Sequence, residues 1–376
     1  MLELTWKQVA AWRSHRHHLD QRAPAGSMLA VASRLCGLHA QVMSSAELTL
    51  WARVQGLEQA AVRRALWEER TLIKTWAMRG TLHLLPSDEL PMWHAALGTT
   101  GRYLRPAAWQ NYYGISIEEL DRLTEAVACA LSGRVLTREE LMREVGRLLG
   151  PAFGKKILES SWGTILKPAA FAGNLCFGPS LGQRVRFTRP DTWLAVAPAS
   201  VDPQSALTAI ARRYLGAYGP VTCRDLARWW NGGGIAAARR WIASLGEEVR
   251  AVEIDGEPAW MLESHARDLR EHTPVPSVRL LPGFDQYVVA ASCHAEHLLP
   301  GIPRIRIYRP QGWISPVLLV NGRMEGVWRH EIKGSRVDVV IEPFRKPPQR
   351  VRKAAGQEAE RLATFVGGSL KLQWKG

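Results

Sequence analysis

The sequence predicts an α+β protein with three tandem winged-helix repeats, followed by a domain rich in short strands. Two observations support this fold class. An order of helices followed by a strand pair recurs three times, and from Val278 onward the chain changes to short apolar strands separated by turns. Internal repeats of this kind indicate the overall architecture more strongly than any single helix or strand does. The predicted domains are 1–112, 113–196 and 197–275 for the winged-helix units, and 276–376 for the strand-rich domain.

The first unit opens with a short helix that Thr5 can cap and that ends at the cluster His15-Arg16-His17-His18. No carboxylate or cysteine pattern supports this cluster, so a solvated basic helix end is favoured over the alternative, a metal site. Apolar residues at helical spacing predict three further helices, and an alternating stretch after them predicts a strand or wing. These elements span 28–38, 45–55, 57–69 and 75–85.

The second unit repeats this order between residues 117 and 190. An amphipathic helix over 118–131 comes first. In the segment that follows, Thr137 can cap a helix while Glu140, three residues later, reaches back to the cap. The stretch from Leu158 to Phe171 is predicted as the third helix, in the position of a recognition helix.

A basic hairpin closes the second unit. Its two strands are predicted on either side of Gly178–Gly182, and Arg184 and Arg186 lie on the second strand. The alternative is an ordinary hairpin with a solvated basic face, but in a strongly basic chain we expect contact with DNA. The candidate DNA-binding residues of the whole chain are Arg79, Lys155, Lys156, Arg184 and Arg186.

The third unit shows the same order between residues 202 and 262. Thr222, with Asp225 three residues later, echoes the cap of the second unit, and Asp255-Gly256 is a strong hairpin-turn signal. The predicted helices and strands include 205–215, 235–245, 249–254 and 259–262.

The last domain is predicted from five short apolar segments and one helix. Asn321-Gly322 predicts a tight hairpin turn between two of the strands. The basic stretch 344–350 suits a phosphate contact and a solvated turn equally well. The predicted strands are 278–281, 305–308, 315–320, 324–330 and 336–343, and the helix is 348–365.

Composition points to a polyanionic partner. The chain has 376 residues, a formal net charge of +14 and a pI near 10.0, so nucleic acid is the first candidate and an anionic membrane surface the second. The five cysteines are widely spaced, which predicts neither a zinc site nor a disulfide framework and favours a reducing cytoplasm. No apolar run reaches the length of a transmembrane helix. We therefore expect no metal, no cofactor and no membrane partner.

The stretch from Leu35 to Ser45 contains two polar residues that are candidates for a functional site. His39 and Gln41 lie in it, at the join between two predicted helices and beside a buried apolar face. Buried polar side chains are costly when unpaired, so both need partners. They can simply satisfy backbone groups or water, and from two residues alone that interpretation is favoured.

Other short motifs follow in a specific order. They are Trp76–Pro86, Leu175–Pro179, Leu280–Tyr287, Leu319–Arg323 and Gly326–Arg329. Together with Leu35-Cys36-Gly37-Leu38-His39-Ala40-Gln41, this order resembles the AlkZ/YcaQ-like winged-helix DNA glycosylases, which excise bulky N7-alkylguanine adducts. In that family a Gln-x-Gln or Gln-x-Asp motif follows the same kind of lead-in, so this sequence keeps the second glutamine as Gln41 and has His39 in the first position.

The resemblance implies a function and several further features. It implies a glycosylase that acts as a monomer in the bacterial cytoplasm, on double-stranded DNA carrying alkylated purines, with His39 and Gln41 as catalytic residues. It also implies a β-barrel-like C-terminal domain, and a reaction in which the base need not be flipped into a pocket. General repair, cross-link repair and self-resistance to a DNA-alkylating metabolite are all compatible with it.

A histidine and a glutamine are weak catalytic groups, but the release of an N7-alkylated purine does not require stronger ones. Alkylation at N7 makes the purine cationic, so it leaves C1′ as a neutral base and needs no strong general acid. The enzyme must position a water and stabilise an oxocarbenium-like sugar. The carbonyl of Gln41 can orient water, and His39 can do the same or act as a general base. Asp285 is a lone acid and is predicted to be structural. The alternative function is a non-catalytic winged-helix DNA binder, such as a regulator.

Overall fold

The computed structural model describes residues 2–99, 107–195, 200–299 and 301–375. The chain forms two compact units, which are called the first and the second unit from here on and are not the same as the predicted winged-helix units. Residues 1–62, 211–226 and 238–376 make the first, and residues 63–210 and 227–237 make the second. Among the described residues, no helix is both long enough and apolar enough to span a bilayer.

Helices of the described residues follow in chain order: α1 (Trp6–Arg16), α2 (Met28–Arg34), α3 (Met43–Trp51), α4 (Gln59–Trp67), α5 (Leu90–Gly98), α6 (Ala107–Tyr113), α7 (Ile117–Leu131), α8 (Arg138–Leu149), α9 (Pro151–Glu159), α10 (Lys167–Phe171), α11 (Pro190–Leu194), α12 (Pro203–Tyr218), α13 (Cys223–Trp230), α14 (Gly234–Ala243), α15 (Ala266–Glu271), α16 (Gln286–Ala290), α17 (Ala295–Leu298) and α18 (Gln349–Phe365).

Strands of the described residues are β1 (Leu2–Leu4), β2 (Leu38–His39), β3 (Leu72–Trp76), β4 (Leu82–Pro86), β5 (Leu136–Thr137), β6 (Cys176–Leu181), β7 (Arg184–Thr188), β8 (Val249–Ile254), β9 (Glu257–Leu262), β10 (Val278–Leu281), β11 (Val317–Val320), β12 (Arg323–Lys333), β13 (Arg336–Pro343) and β14 (Ser369–Trp374).

The largest sheet lies in the first unit and has the order β10-β11-β12-β13-β14. Its first four strands are antiparallel: β11–β12 and β12–β13 are local hairpins, whereas α16 and α17 lie between β10 and β11 in the chain. The strand β14 runs parallel to β13 after the crossover through α18. Inward side chains of the strands and the apolar stripe of α18 share one core, which includes Leu280, Val339, Ile341, Ala355 and Leu362.

This sheet is open. The described residues show no pairing between β10 and β14, so the barrel-like C-terminal domain that the resemblance implied is not confirmed as a closed barrel. The strand β14 was not predicted, because its side chains alternate only between exposed and half-buried positions and leave a weak pattern. A strand predicted over 305–308 was wrong: a 3-10 turn stands at Arg304–Arg306, and Ile305 is exposed although its apolar character suggested burial.

A second, three-stranded sheet in the first unit has the order β1-β8-β9. The turn Asp255-Gly256 takes positive φ angles of 47° and 85°, as the predicted tight hairpin requires. The same holds for Asn321-Gly322, with φ angles of 51° and 78°. The apolar residues of α1 and of these strands form a separate core, which includes Leu4, Trp6, Val252, Ile254 and Met261.

In the second unit, β3 and β4 form one antiparallel hairpin, and β5, β7 and β6 form a three-stranded sheet beside α7, α8 and α9. The predicted capping box is confirmed: the Glu140 N–H donates to Thr137 Oγ1 at 3.3 Å and the Thr137 N–H donates to the Glu140 carboxylate at 2.7 Å. Within the β6–β7 hairpin the turn is shorter than predicted, since β6 continues through Leu181 with a register shift after Gly178.

The helix predicted over 158–171, the third helix of the second winged-helix unit, differs from the observed structure. The helix α9 ends at Glu159, Ser160 is extended with ψ of 109°, and Gly163 takes a positive φ of 62° before α10 begins. The Ser160 hydroxyl accepts a hydrogen bond from the Ile165 N–H at 3.0 Å, which stabilises the break. Apolar spacing continued through this break, so the sequence pattern suggested one helix where there are two.

His17 at the end of α1 makes the stability of the fold depend on pH. Its ring is fully buried and packs edge-on against Tyr218 and Tyr287, at ring distances of 4.9 and 5.5 Å. Burial, and next the nearby charges of Arg53 and Arg13, hold the pKa of His17 well below its usual value. In the unfolded chain the pKa returns to about 6.5, so below that pH the unfolded state binds a proton that the folded state does not.

We therefore expect the free energy of unfolding to be unaffected by His17 protonation above pH ~6.5. Below that pH it should fall by about 1.4 kcal/mol per pH unit for each such histidine. The measurement is urea unfolding at pH values between 8 and 5. The control is His17→Phe, which keeps a buried ring without a proton site and should make the slope shallower. Part of the slope should remain, because burial lowers the pKa of His18 and of His265 to about 4 as well. An unchanged slope in His17→Phe would contradict the assignment.

Candidate active site

His39 and Gln41 lie between α2 and α3, where the apolar spacing placed them. After α2, Cys36 and Gly37 take positive φ angles of 60° and 87°, and this turn leads the chain directly into β2. His39 is buried and Gln41 is half-buried. Both side chains thus stand on a short connection whose ends are fixed by two helices.

The ring of His39 stacks on Phe284. Their centroids are 4.8 Å apart and the planes differ by 12°. Phe284 takes a positive φ of 61°, which is uncommon for an aromatic residue. Gln286 donates from Nε2 to the carbonyl of Gly37 at 2.6 Å. The segment 284–286 therefore holds both the imidazole and the turn in front of it.

A buried ion pair anchors this segment to α3. Arg53 and Asp285 have fully buried side chains and form two hydrogen bonds of 2.7 Å each. Arg53 also donates to the Thr49 carbonyl at 2.9 Å, and Asp285 accepts from the Tyr287 N–H at 2.9 Å at the start of α16. Asp285, predicted to be structural, thus links the segment that carries Phe284 to the residues at the end of α3.

A cleft of about 450 Å³ is lined in part by Phe284. Val42 and Ser45, which follow the motif in the chain, line this cleft together with Trp313. The side chain of Trp313 is 51% exposed, and its ring lies 5.3 Å from that of Phe284. The sequence analysis did not identify Arg53 or Trp313 as parts of this neighbourhood. Gln286 was included only as a member of the segment 280–287, through the resemblance.

The five candidate DNA-binding residues lie in the second unit. Arg184 is exposed on the hairpin, and Lys155 is exposed on α9 with Glu159 at 3.3 Å. The other three donate to backbone carbonyls, which uses part of their hydrogen-bonding capacity: Arg79 to Trp229 at 2.9 Å, Lys156 to Tyr113 at 3.3 Å and Arg186 to Pro179 at 2.6 Å.

The histidines at the end of α1 do not cluster as their sequence order suggests. His17 is buried between aromatic rings, whereas His15 donates from Nδ1 to Oδ2 of Asp20 at 2.9 Å. His15, Asp20 and His272 have possible ligand atoms that all lie within 4.8 Å of one another. Two imidazoles and a carboxylate are a set that could hold a metal ion. Within it, His15 is hydrogen-bonded to Asp20, and the rings of His15 and His272 lie 4.8 Å apart.

Comparison with known proteins identifies the family. A model of the family described as DNA glycosylase AlkZ-like matches residues 32–365. The chain belongs to this AlkZ-like DNA glycosylase family. An interstrand DNA cross-link repair glycosylase of Streptomyces sahachiroi is 37% identical over 372 residues, which is 98% of both chains. The solved structure of the Streptomyces sahachiroi DNA glycosylase AlkZ is similar with a TM-score of 0.90, at 35% identity and over 100% of both chains.

The contacts around His39 all lie within the first unit. The imidazole of His39 is clamped by stacking, and the turn before it is hydrogen-bonded to α16. Side chains fixed by their surroundings position reacting groups more accurately than mobile ones. The His39 ring and the turn before it are thus fixed by their surroundings.

Proposed function

We propose that this AlkZ-like glycosylase hydrolyses the N-glycosidic bond of N7-alkylguanine in duplex DNA, including bulky and cross-linked adducts. The supporting observation is the placement of His39 and Gln41 on a connection fixed by Phe284 and Gln286. The name of the Streptomyces sahachiroi relative, a cross-link repair glycosylase, favours the same substrate class. Roles in general repair and in self-resistance to an alkylating metabolite both fit this activity.

The proposed reaction needs one water. The C1′–N9 bond breaks, the cationic base takes the bonding electrons and leaves neutral, and water adds to C1′ and loses a proton. Gln41 orients that water through its carbonyl, since an amide cannot accept a proton near neutral pH. His39 either shares the orientation or accepts the proton. The chain needs no cofactor for this step.

We further propose that three winged-helix units, with the boundaries predicted from the sequence, present this site to the duplex, and that the protein acts as a monomer. Three hairpins support the division, because each follows a group of helices: β3–β4, β6–β7 and β8–β9. The net charge of +14 supports a phosphate-binding surface.

The deciding experiment is release of N7-methylguanine from an alkylated duplex by the purified protein, followed by chromatography of the free base. Release together with an abasic site supports the glycosylase. Tight duplex binding without any release, on this duplex and on one with a bulky N7 adduct, would favour the non-catalytic DNA binder. Undamaged duplex of the same sequence is the control substrate.

Affinity for duplex DNA should fall steeply as salt increases, because phosphate contacts release counterions. Substituting Arg184 and Arg186 together with alanine should weaken binding to all sequences alike and reduce the slope of log affinity against log salt by about 1 to 2. Arg184 should account for most of this change, since Arg186 already donates to the Pro179 carbonyl. Fluorescence anisotropy at salt concentrations between about 50 and 300 mM measures this affinity, because phosphate contacts are progressively screened over that range.

The matched control is Arg267→Ala, which removes one exposed arginine that is paired with Glu271 in α15. This variant should keep the wild-type slope. Affinity that is indifferent to salt would rule out phosphate binding, and equal effects of the control and the hairpin variant would rule out the hairpin as its site.

A further inference from the structure

A polar recess of about 430 Å³ lies in the first unit and shares no lining residue with the cleft beside the motif. Among the described residues, no aromatic or aliphatic side chain lines this recess, so a base or an acyl chain would find no surface to pack on. Arginine and glutamine side chains instead supply many N–H donors. The lining residues are Arg22, Arg279, Arg361, Gln21, Gln55 and Gly56.

The recess has more positive than negative charge around it. Arg22 donates from Nη2 to both carboxylate oxygens of Glu358 at 2.6 Å, and Nη1 of Arg361 lies 3.6 Å from the same carboxylate. Arg279 donates to two backbone carbonyls, each at 2.8 Å. In the part of the chain that the structure describes, one carboxylate thus pairs with two guanidinium groups, and the third is bonded to neutral acceptors.

The buried nitrogens of these arginines lack acceptors. Arg279 is only 9% exposed, and its Nε has no hydrogen-bond partner among the residues described. The same holds for Nε of Arg22 and for Nη1 of Arg361. Burial, and next the charge of Arg22, lower the pKa of Arg279 to about 10. Buried N–H groups are nearly always paired in folded proteins, so three unpaired ones around a single recess indicate an acceptor that arrives with a ligand.

The donors are held in place before any ligand binds. The Ala23 N–H donates to the Arg53 carbonyl at 2.8 Å, and the Gln55 N–H donates to the Ala23 carbonyl at 3.0 Å, which joins the loop before α2 to the residues after α3. Arg361 of α18 lies over the ring of Trp51 at 5.0 Å and donates to its carbonyl at 3.3 Å. Such preorganisation lowers the entropic cost of binding.

We propose that this recess binds a phosphate group through the guanidinium groups of Arg22, Arg279 and Arg361. Guanidinium N–H groups match pairs of phosphate oxygens, and the negative charge of the ligand offsets the excess positive charge. Gln21 and Gln55 are exposed at the recess and add neutral amide donors. A free phosphate and a phosphate of the DNA backbone present the same oxygens. The site does not depend on the glycosylase function proposed above.

The test is isothermal titration calorimetry of the full chain with inorganic phosphate, at an ionic strength kept constant with chloride. We expect saturable binding of one phosphate per chain. Gln55→Glu places a negative charge at the recess and leaves the buried arginines intact, so it should weaken phosphate affinity by at least about fivefold. Gln55→Lys adds a positive charge at the same exposed position and should strengthen the affinity by a similar factor.

Two further variants complete the set. Gln373→Glu is the matched control, because Gln373 is an exposed glutamine of β14 in the same unit, outside the recess lining. It should bind phosphate as wild type does. Arg279→Gln removes the buried guanidinium and should abolish measurable binding, with circular dichroism to show that the variant is folded. If it does not fold, the two Gln55 variants still decide the question.

A duplex separates the two sources of the phosphate group. If the DNA backbone supplies it, Gln55→Glu should also lower duplex affinity by at least about fivefold, measured by anisotropy, and inorganic phosphate should compete with the duplex. If a free anion is the ligand, duplex affinity should be the same in Gln55→Glu and in Gln373→Glu, while phosphate binding differs. Either result supports the site.

Two results would overturn the proposal. One is phosphate binding with equal affinity in wild type, both Gln55 variants and the control, since the anion would then lie elsewhere. The other is no saturable phosphate binding in wild type together with equal duplex affinity in Gln55→Glu and its control. The arginines would then serve only to hold Glu358 and the backbone carbonyls.

Discussion

Gln41→Ala should slow base excision by about 10²- to 10³-fold, the usual cost of removing a group that acts on the transition state, with duplex affinity nearly unchanged. A group that orients the attacking water is needed in the transition state and adds little to ground-state binding. Gln41 is half-buried and stands two residues after His39, whose ring is stacked on Phe284. Single-turnover excision of N7-alkylguanine from a defined duplex, with anisotropy for affinity, measures both quantities.

Variants of His39 distinguish two roles. If His39 only orients water, His39→Gln restores the pair that the family resemblance leads one to expect and should keep much of the activity, while His39→Ala is slow. If His39 accepts the proton, His39→Gln should be slow too, and the wild-type rate should fall as the pH drops through the imidazole pKa.

The control is Gln204→Ala, which removes an exposed glutamine at the start of α12 and should leave the rate unchanged. Wild-type rates for both Gln41→Ala and His39→Ala would rule out this stretch as the active site. Rates that fall together with duplex affinity would instead indicate a role in binding.

Local chemistry accounts for what the sequence predicted well. The capping box of Thr137 and Glu140 and the tight turns Asp255-Gly256 and Asn321-Gly322 involve neighbours within three residues, so their pattern is complete in the sequence. The helix predicted over 158–171 was wrong because its break depends on the backbone at Ser160 and Gly163, while the apolar spacing continues across them. The strand β14 was missed because its side chains are only half-buried.

In the candidate site, too, the local features were predicted from the sequence and the long-range contacts were not. Helical spacing on both sides placed His39 and Gln41 at a junction, and that placement is confirmed; their catalytic roles stay predictions. What holds them could not be predicted, because Arg53 and Asp285 are 232 residues apart and Gly37 and Gln286 are 249 apart. No periodicity or spacing rule connects such distant residues. Only the folded chain shows that a lone acid has a buried partner.

That buried pair leads to the second large effect. Asp285→Asn should lower the free energy of unfolding by about 3–5 kcal/mol, because Arg53 would keep its charge in a fully buried site without its carboxylate partner. Base excision should fall as well, since the segment 284–286 that stacks on His39 and bonds to Gly37 loses its anchor. Urea unfolding followed by circular dichroism gives the stability, and single-turnover excision gives the activity.

The double variant Arg53→Met with Asp285→Leu separates charge burial from packing. Replacing both members of a buried pair with apolar side chains of similar volume is often neutral, so this variant should recover most of the stability that Asp285→Asn loses. Its excision rate should stay low, because a leucine side chain at this position cannot accept the hydrogen bond from the Tyr287 N–H at the start of α16. The exposed pair Arg267–Glu271 is the matched control, and Arg267→Ala should change the stability by less than about 1 kcal/mol. A loss below about 1 kcal/mol in Asp285→Asn would show that the pair does not anchor the site.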